Sequence, residues 1–137
     1  MVGFKVKYNY WEIGSVSFLN SFFSTIAYRL EKGKWGSKYP VIMNELYQGK
    51  LSCDNVPAAK KELEKIKKKL TKYSPDKVIW DIEDLSKQPP WGDKISDRIK
   101  NLANYYVTSD GRDFIEILNR AMDTAIEIHS DLEIKSF

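Results

Sequence analysis

Residues 2–11, VGFKVKYNYW, alternate apolar and polar side chains, and this alternation decides the class of fold. Successive side chains of an extended strand point to opposite faces of a sheet. The apolar face would carry Val2, Phe4, Val6, Tyr8 and Tyr10. The solvent face would carry Lys5, Lys7 and Asn9. The pattern therefore predicts one half-buried strand in an antiparallel or mixed sheet.

Downstream of this strand, apolar residues recur mainly at helical spacing. A first helix is predicted from a Ser15 or Ser17 cap to Gly33, and a short one from Pro40 to Gly49. A third begins at Asn55 and Pro57 and presents a Lys-rich outer face. The same spacing predicts helices over about 93–103 and 112–129.

Three further stretches predict extended structure: KVIWDIE (77–83), YYVTS (105–109) and LEIKSF (132–137). We therefore expect an α+β fold in a single domain over residues 1–137. A small antiparallel or mixed sheet of three to four strands would pack with four to five helices.

The composition is that of a folded globule, with 42% hydrophobic and 13% aromatic residues in 137. No stretch approaches the ~18 uncharged apolar residues of a membrane span, and the N-terminus lacks the apolar block of a signal peptide. A single cysteine, Cys53, cannot form an internal disulfide. These features predict a cytoplasmic protein with no membrane association.

The charge is divided unevenly along the chain. Residues 1–79 contain 15 Lys and Arg against 7 Asp and Glu, whereas residues 80–137 contain 7 against 12. The net charge is only +3, but a binding partner responds to the local field. The second half is therefore the acidic half.

VIWDIEDLSKQPPWGD (78–93) opens this half with three carboxylates in four residues. Strand alternation would place Asp81 and Glu83 on one face and Asp84 on the other, which favours a solvated strand end over a magnesium site. Zinc catalysis is disfavoured because His129, at a predicted helix end, is the single histidine. We expect no enzymatic activity, no cofactor and no metal, although a carboxylate-bound magnesium stays open as a third interpretation.

Two other polar clusters have simpler explanations. In TSDGRD (108–113), Ser109 or Asp110 would cap the last helix, and Asp113 would complement its dipole. The basic run KKELEKIKKKLTK (60–72) contains glutamates placed for ordinary helix-surface ion pairs, such as Glu62 with Lys65. Nucleic-acid binding through the basic helix 58–72 is the alternative function, although the run lacks Arg.

The tryptophans are the remaining residues that could form a binding surface. Trp80 lies in an apolar stretch and should pack in the core, whereas Trp91 and Trp35 stand beside glycines in loops. An exposed Trp next to acids is typical of a protein-binding surface. Loop tryptophans folded back over the core are the other possibility.

Five blocks resemble the bacterial immunity protein 70 family: EIGSVSFLNSFFSTIAYRLE (12–31), KWGSKYPVIMNELYQGKL (34–51), VIWDIEDL (78–85), PPWGD (89–93) and YYVTSDGRDF (105–114). The resemblance spans about residues 3 to 129. It implies a non-enzymatic cytoplasmic partner of a polymorphic or contact-dependent growth inhibition toxin. Such a protein binds the toxin's C-terminal domain and blocks its active site or its access to its target.

Many toxins of this type are nucleases with basic clefts, which an acidic surface would complement. The acidic balance of residues 80–137 fits that expectation, whereas the overall charge of +3 fits it less well. We expect the toxin-binding surface to include Asp81, Glu83, Asp84, Trp91, Asp93, Asp110 and Asp113.

Overall fold

The N-terminal stretch forms a hairpin in the computed structural model, which describes residues 1–136. Strand β1 (Val2–Val6) pairs antiparallel with β2 (Asn9–Gly14), and the chain turns at Lys7 with a φ of 56°. The prediction of a single strand over 2–11 is wrong. Tyr8 lies in the turn and is 92% exposed, and Tyr10 pairs with Lys5 on the solvent face. The turn resets the alternation, so the second half of the pattern faces the other way.

Two further strands complete the sheet, one from the middle of the chain and one from its C-terminal end. Strand β4 (Leu132–Ser136) pairs antiparallel with β1, and the short β3 (Lys50–Leu51) pairs antiparallel with β4. The strand order is β2-β1-β4-β3. The predicted small antiparallel sheet and its last strand are thus confirmed, while Phe137 lies outside the described residues.

Helical segments occur at four of the five predicted places in the chain. Helix α1 (Val16–Thr25) continues into π-helical turns (Ile26–Leu30), and a second π-helical segment covers Val41–Leu46. Helix α2 is Val56–Leu70 and helix α3 is Phe114–Ile128, with short 3-10 turns at Cys53–Asn55 and Pro75–Lys77. Ser15 caps α1 as predicted, because its Oγ accepts from the Phe18 N–H at 3.0 Å.

Residues 77–104 differ most from the prediction. The predicted strand 77–83 and the predicted helix 93–103 are both absent from this described stretch, and 105–109 contributes only an isolated bridge between Val107 and Asp113. In 100–104 the side chains of Asn101 and Asn104 accept the N–H groups of Lys100, Asn101 and Ala103. These local bonds compete with the helical ones and favour a turn.

One continuous core joins the sheet to the helices. Phe4 of β1 lies 5.7 Å, between ring centroids, from Phe114 of α3, which lies 4.6 Å from Phe22 of α1. The fully buried Tyr106 ring packs edge-on to Phe22 at 5.6 Å. Helices therefore cover the face of the sheet that carries Phe4, and Lys5 and Tyr10 on the opposite face meet solvent.

Two glutamates organise the loop between α1 and α2. Glu31 is 1% exposed and its carboxylate accepts from the N–H groups of Gly36, Lys38 and Tyr39 at 2.9–3.0 Å. Glu62 of α2 accepts from the N–H groups of Val41 and Ile42, at the start of the second π-helical segment. Glu62 therefore turns inward as a cap and does not form the predicted surface pair with Lys65.

Candidate protein-binding surface

The acidic segment 81–93 is tied to the core by hydroxyl groups of α1. Ser21 Oγ donates to the Ile79 carbonyl at 2.8 Å, and Thr25 Oγ1 accepts from the Ile79 N–H at 3.0 Å. Ser24 Oγ accepts from the Ile82 N–H at 3.2 Å. The backbone of 79–82 thus finds its partners on a helix, which explains why no strand forms there.

Tyr106 contacts the same two hydroxyl groups, of Ser21 and Thr25, that bond to Ile79. Its hydroxyl lies 2.9 Å from Ser21 Oγ and 2.8 Å from Thr25 Oγ1, and it donates to the Ser21 carbonyl at 3.1 Å. Burial raises the pKa of the Tyr106 phenol well above its ordinary value, so the group stays neutral. The network is a structural clamp that holds residues 79–82 against α1.

The carboxylates beyond the anchor hold their own turns. Asp81 Oδ1 accepts from the Glu83 N–H at 2.9 Å, and Asp84 Oδ1 accepts from the Ser86 N–H at 3.1 Å. The Ser86 hydroxyl, which also donates to this oxygen, lowers the pKa of Asp84. Glu83 and Asp84 are exposed, whereas Asp81 is half-buried with Lys87 at 3.5 Å. The segment therefore presents the carboxylates of Glu83 and Asp84 to solvent, on turns that the Asp81 and Asp84 side chains stabilise.

Trp91 combines the two alternatives left open by the sequence. Its Nε1–H donates to the Tyr105 hydroxyl at 2.9 Å, and its ring meets the buried Trp80 edge-on at 5.4 Å. The side chain nevertheless remains 37% exposed. Trp91 is thus a loop plug, packed on Trp80 and hydrogen-bonded to Tyr105, that keeps part of its surface exposed. Trp35 is more nearly a plug, packed on Tyr47 at 4.7 Å with its Nε1–H donated to the Met43 carbonyl.

The other three predicted site residues have different surroundings. Asp93 is exposed and lines a hollow of about 530 Å³ with Asp76 and Tyr105. Asp110 lines a separate cleft with Trp11, in which it pairs with Arg112 at 3.6 Å. The sequence pattern places all three with the acidic loop, but the structure brings only Asp93 into it.

Asp113 is the N-cap of α3, since its Oδ1 accepts from the Ile115 N–H at 3.1 Å. The prediction that Ser109 or Asp110 would cap this helix is wrong. Those two side chains bond elsewhere, Ser109 Oγ to the Glu12 carboxylate and Asp110 to the Thr108 hydroxyl. Partial burial raises the pKa of the Asp113 carboxyl despite the cap hydrogen bonds.

Helix α2 presents the basic surface of the molecule. Lys60 pairs with Asp123 of α3, but a line of lysines on the outer face is exposed: Lys61, Lys65, Lys68, Lys69 and Lys72. Because Glu62 turns inward, this face is more basic than the sequence pattern indicates.

Residues 1–136 contain neither a cluster of potential metal ligands nor a helix that could span a membrane. Across residues 1–136, no group of three or more His, Cys, Asp and Glu is arranged to hold a metal ion. His129 ends α3 with a left-handed φ of 52°, in keeping with its predicted place at a helix end. Within the same residues, no helix has the length and apolar character needed to cross a bilayer.

The residues that sequence reasoning missed are Ser21, Ser24 and Thr25. Their signal is available in the sequence, because small hydroxyl residues at i, i+3 and i+4 share one helix face. In an otherwise apolar helix such a stripe indicates that a polar backbone segment crosses there. The crossing segment itself could not be identified from the stripe.

The comparisons with known proteins give one match. The model of the family described as immunity protein 70 matches residues 4–134, nearly the whole chain. Searches of curated proteins and of solved structures found no match. The long match agrees with the fold, in which β1 and β4 at the two ends of the matched region pair within one sheet. The chain belongs to the immunity protein 70 family.

Proposed function

We propose that this protein neutralises a secreted or contact-delivered bacterial toxin by binding its C-terminal domain in the cytoplasm of the producing cell. Bound there, it blocks the toxin's active site or its access to its target. Family membership implies an immunity protein with a cognate toxin partner. The proposed contact surface is the acidic segment 81–93, with Asp81, Glu83, Asp84, Trp91 and Asp93.

One observation carries the choice of this surface. Segment 81–93 has four carboxylates against one lysine, and its exposed acids stand on turns that are pinned to the core. A surface fixed before binding loses little conformational entropy when a partner docks. The exposed part of Trp91 supplies the aromatic anchor that such interfaces use.

The acidic character indicates the chemistry of the partner. A toxin with a basic cleft, such as a nuclease, would be drawn to this segment over a range of about a Debye length, ~8 Å at physiological salt. Near-complete inhibition needs nanomolar affinity or better, roughly 12 kcal/mol. Asp110 and Asp113, which lie on a separate cleft and a helix cap, are peripheral to this proposal.

Growth rescue tests the function. The C-terminal toxin domain, sought in the reading frame directly upstream, would be co-expressed with the wild-type protein and with a Glu83→Lys/Asp84→Lys variant. We expect rescue by the wild type and reduced rescue by the variant. Glu127→Lys, an exposed reversal on α3, is the matched control. Lack of rescue by well-expressed wild-type protein would contradict the proposal.

The exposed lysines of α2 favour a second candidate, a nucleic-acid-associated regulator that uses the basic helix 58–72. Lysines on one helix face can neutralise a row of phosphates and release counterions. A gel-shift titration distinguishes the two functions. Binding that persists near physiological salt and weakens in Lys65→Glu/Lys68→Glu supports this candidate, and absence of such binding removes it.

A further inference from the structure

Two hollows flank the residues that follow the acidic turns. The first, about 400 Å³, is mainly apolar and is lined by Phe18, Ile99 and Val107, with Lys94 at its rim. The second, about 530 Å³, contains the carboxylates Asp76 and Asp93. Ile95 and Tyr105 line both, so they form a ridge between the two.

The ridge is held in place by contacts already described. Tyr105 is 5% exposed, and its hydroxyl accepts the Nε1–H of Trp91, which itself lines the apolar hollow. The adjoining backbone is tied down where the Leu102 N–H donates to the Tyr73 carbonyl at 3.0 Å. These contacts therefore fix Tyr105, the residue that lines both hollows.

The two hollows differ in what they can accept. The apolar one leaves Val107 43% exposed and Trp91 37% exposed, and covering these surfaces would be favourable. The acidic one offers two carboxylates and no basic lining residue among those described, although Lys77 lies 3.9 Å from Asp76 at its edge. Volumes of roughly 300–1,000 Å³ are those of small-ligand sites, large enough for one side chain each.

We propose that the two hollows form one docking groove for a toxin segment that carries an aliphatic or aromatic side chain beside a lysine or arginine. The apolar side chain enters the hollow of Phe18, Ile99 and Val107, and the cation enters the hollow of Asp76 and Asp93. This inference rests on the proposed function and names the chemistry that the toxin presents. It extends the contact surface from the acidic turns to residues 95–107.

Charge complementarity favours this occupant over a small apolar molecule, and the titration described next distinguishes it from a second copy of the chain. The groove adjoins segment 81–93, whose carboxylates outnumber its lysine by four to one. A basic segment would meet this field on approach and could pair with the exposed Asp93 carboxylate, whereas an uncharged ligand would offer that carboxylate no cation.

The first test uses capped dipeptides and no toxin. In an NMR titration of the ¹⁵N-labelled protein, N-acetyl-Leu-Arg-amide should shift the amides of Asp93, Ile99 and Val107. N-acetyl-Leu-Glu-amide should bind at least tenfold more weakly. Equal binding of both dipeptides, or shifts outside the groove, would overturn the proposal. Concentration-dependent shifts at the groove without peptide would assign it to a second copy and would also overturn it.

The second test uses the upstream toxin domain. Val107→Glu and Asp93→Lys should each raise the dissociation constant at least tenfold, while their matched controls Ile126→Glu and Glu127→Lys should leave it unchanged. Ile126 is 38% exposed on α3 and Glu127 is exposed beside it. If both groove variants bind the toxin domain as tightly as wild type, the docking groove is contradicted but the proposed function is not. If wild-type protein fails to bind this domain, the proposed function fails and the dipeptide result decides the groove.

Discussion

Carboxylates behave oppositely in two regions of the molecule. Between α1 and α2 they turn inward: Glu31 accepts three backbone N–H groups and Glu62 accepts two. In segment 81–93, the carboxylates of Glu83, Asp84 and Asp93 face outward. The side chains of Asp81 and Asp84 each accept one backbone N–H within a local turn. The first group holds the fold, and the second group leaves charge available at the surface.

The difference lies in the supply of backbone donors. Several backbone N–H groups in residues 36–42 have no strand or helix partner. The inward-facing carboxylates of Glu31 and Glu62 accept these N–H groups. The corresponding donors of residues 79 and 82 are taken by hydroxyls of α1, so the nearby acids remain free to face solvent. Inward carboxylates should therefore control stability, and outward ones should control binding.

The largest effect is expected for Glu31→Ala. This change strands three N–H groups around a site that is 1% exposed and should lower the free energy of unfolding by roughly 3–5 kcal/mol. Chemical denaturation measures it, with Glu127→Ala on the surface as control. If Glu31→Ala lowers the free energy of unfolding no more than Glu127→Ala does, inward carboxylates do not control stability.

A smaller loss is expected for Thr25→Val, which keeps the shape but leaves the Ile79 N–H unpaired. We expect about 2–3 kcal/mol of lost stability. Faster hydrogen exchange at Ile79 and Ile82 would show that the anchor of the acidic segment has loosened. Thr124→Val, a half-buried hydroxyl on α3, is the control. Unchanged exchange at both amides would exclude the clamp.

For the outward group, Glu83→Lys/Asp84→Lys should leave the denaturation midpoint nearly unchanged and slow association with the toxin domain about tenfold at low salt. The difference should shrink at ~0.5 M salt, because screening removes long-range attraction. Stopped-flow fluorescence measures the rate. A rate equal to that of wild type across all salt concentrations would contradict the assignment.

Asp113 belongs to the carboxylates that stabilise the fold, although it was predicted for the toxin-binding surface, because it is the N-cap of α3. Asp113→Ala should cost about 1 kcal/mol, whereas Asp113→Asn keeps a good cap and should cost little. Thermal denaturation separates the two variants, and equal losses would argue against capping.

The raised pKa of Asp113 adds a pH dependence. The folded state holds this proton more tightly than the unfolded state does, so the contribution is largest below the unfolded pKa of ~3.9 and is lost as pH rises through the folded value. The stability of the wild type relative to Asp113→Asn should therefore fall as pH rises through this window. A difference that rises with pH would reverse the sign of the shift.

Residues with strong local signals were predicted correctly. The Ser15 cap, the Asn55–Pro57 start of α2 and the apolar stripe of α3 fix helices through contacts within a few residues, which sequence spacing reports directly. The α+β class and a small antiparallel or mixed sheet were predicted from these elements and from the alternation of residues 2–11 and 132–137, and the structure shows that the sheet is antiparallel. The family resemblance likewise rested on sequence alone and is confirmed over residues 4–134.

Predictions failed where the partner of a backbone segment lies far away in the chain. VIWDI has the composition of a strand, yet its donors and acceptors meet α1 side chains 54 to 58 residues away. Residues 93–103 have helical spacing, yet asparagine side chains take their N–H groups. The acidic segment was recognisable as a surface, but its division from Asp110 and Asp113 was not.

The sequence by itself determined the helices, the class of fold, the charge division and the family, because each depends on neighbouring residues or on the pattern of the whole chain. Only the tertiary structure decided that residues 2–11 fold back at Lys7, that Glu31 and Glu62 face inward, and that 79–82 lie on α1. Each of these outcomes depends on which distant group satisfies a backbone N–H, and residue spacing carries no record of that choice.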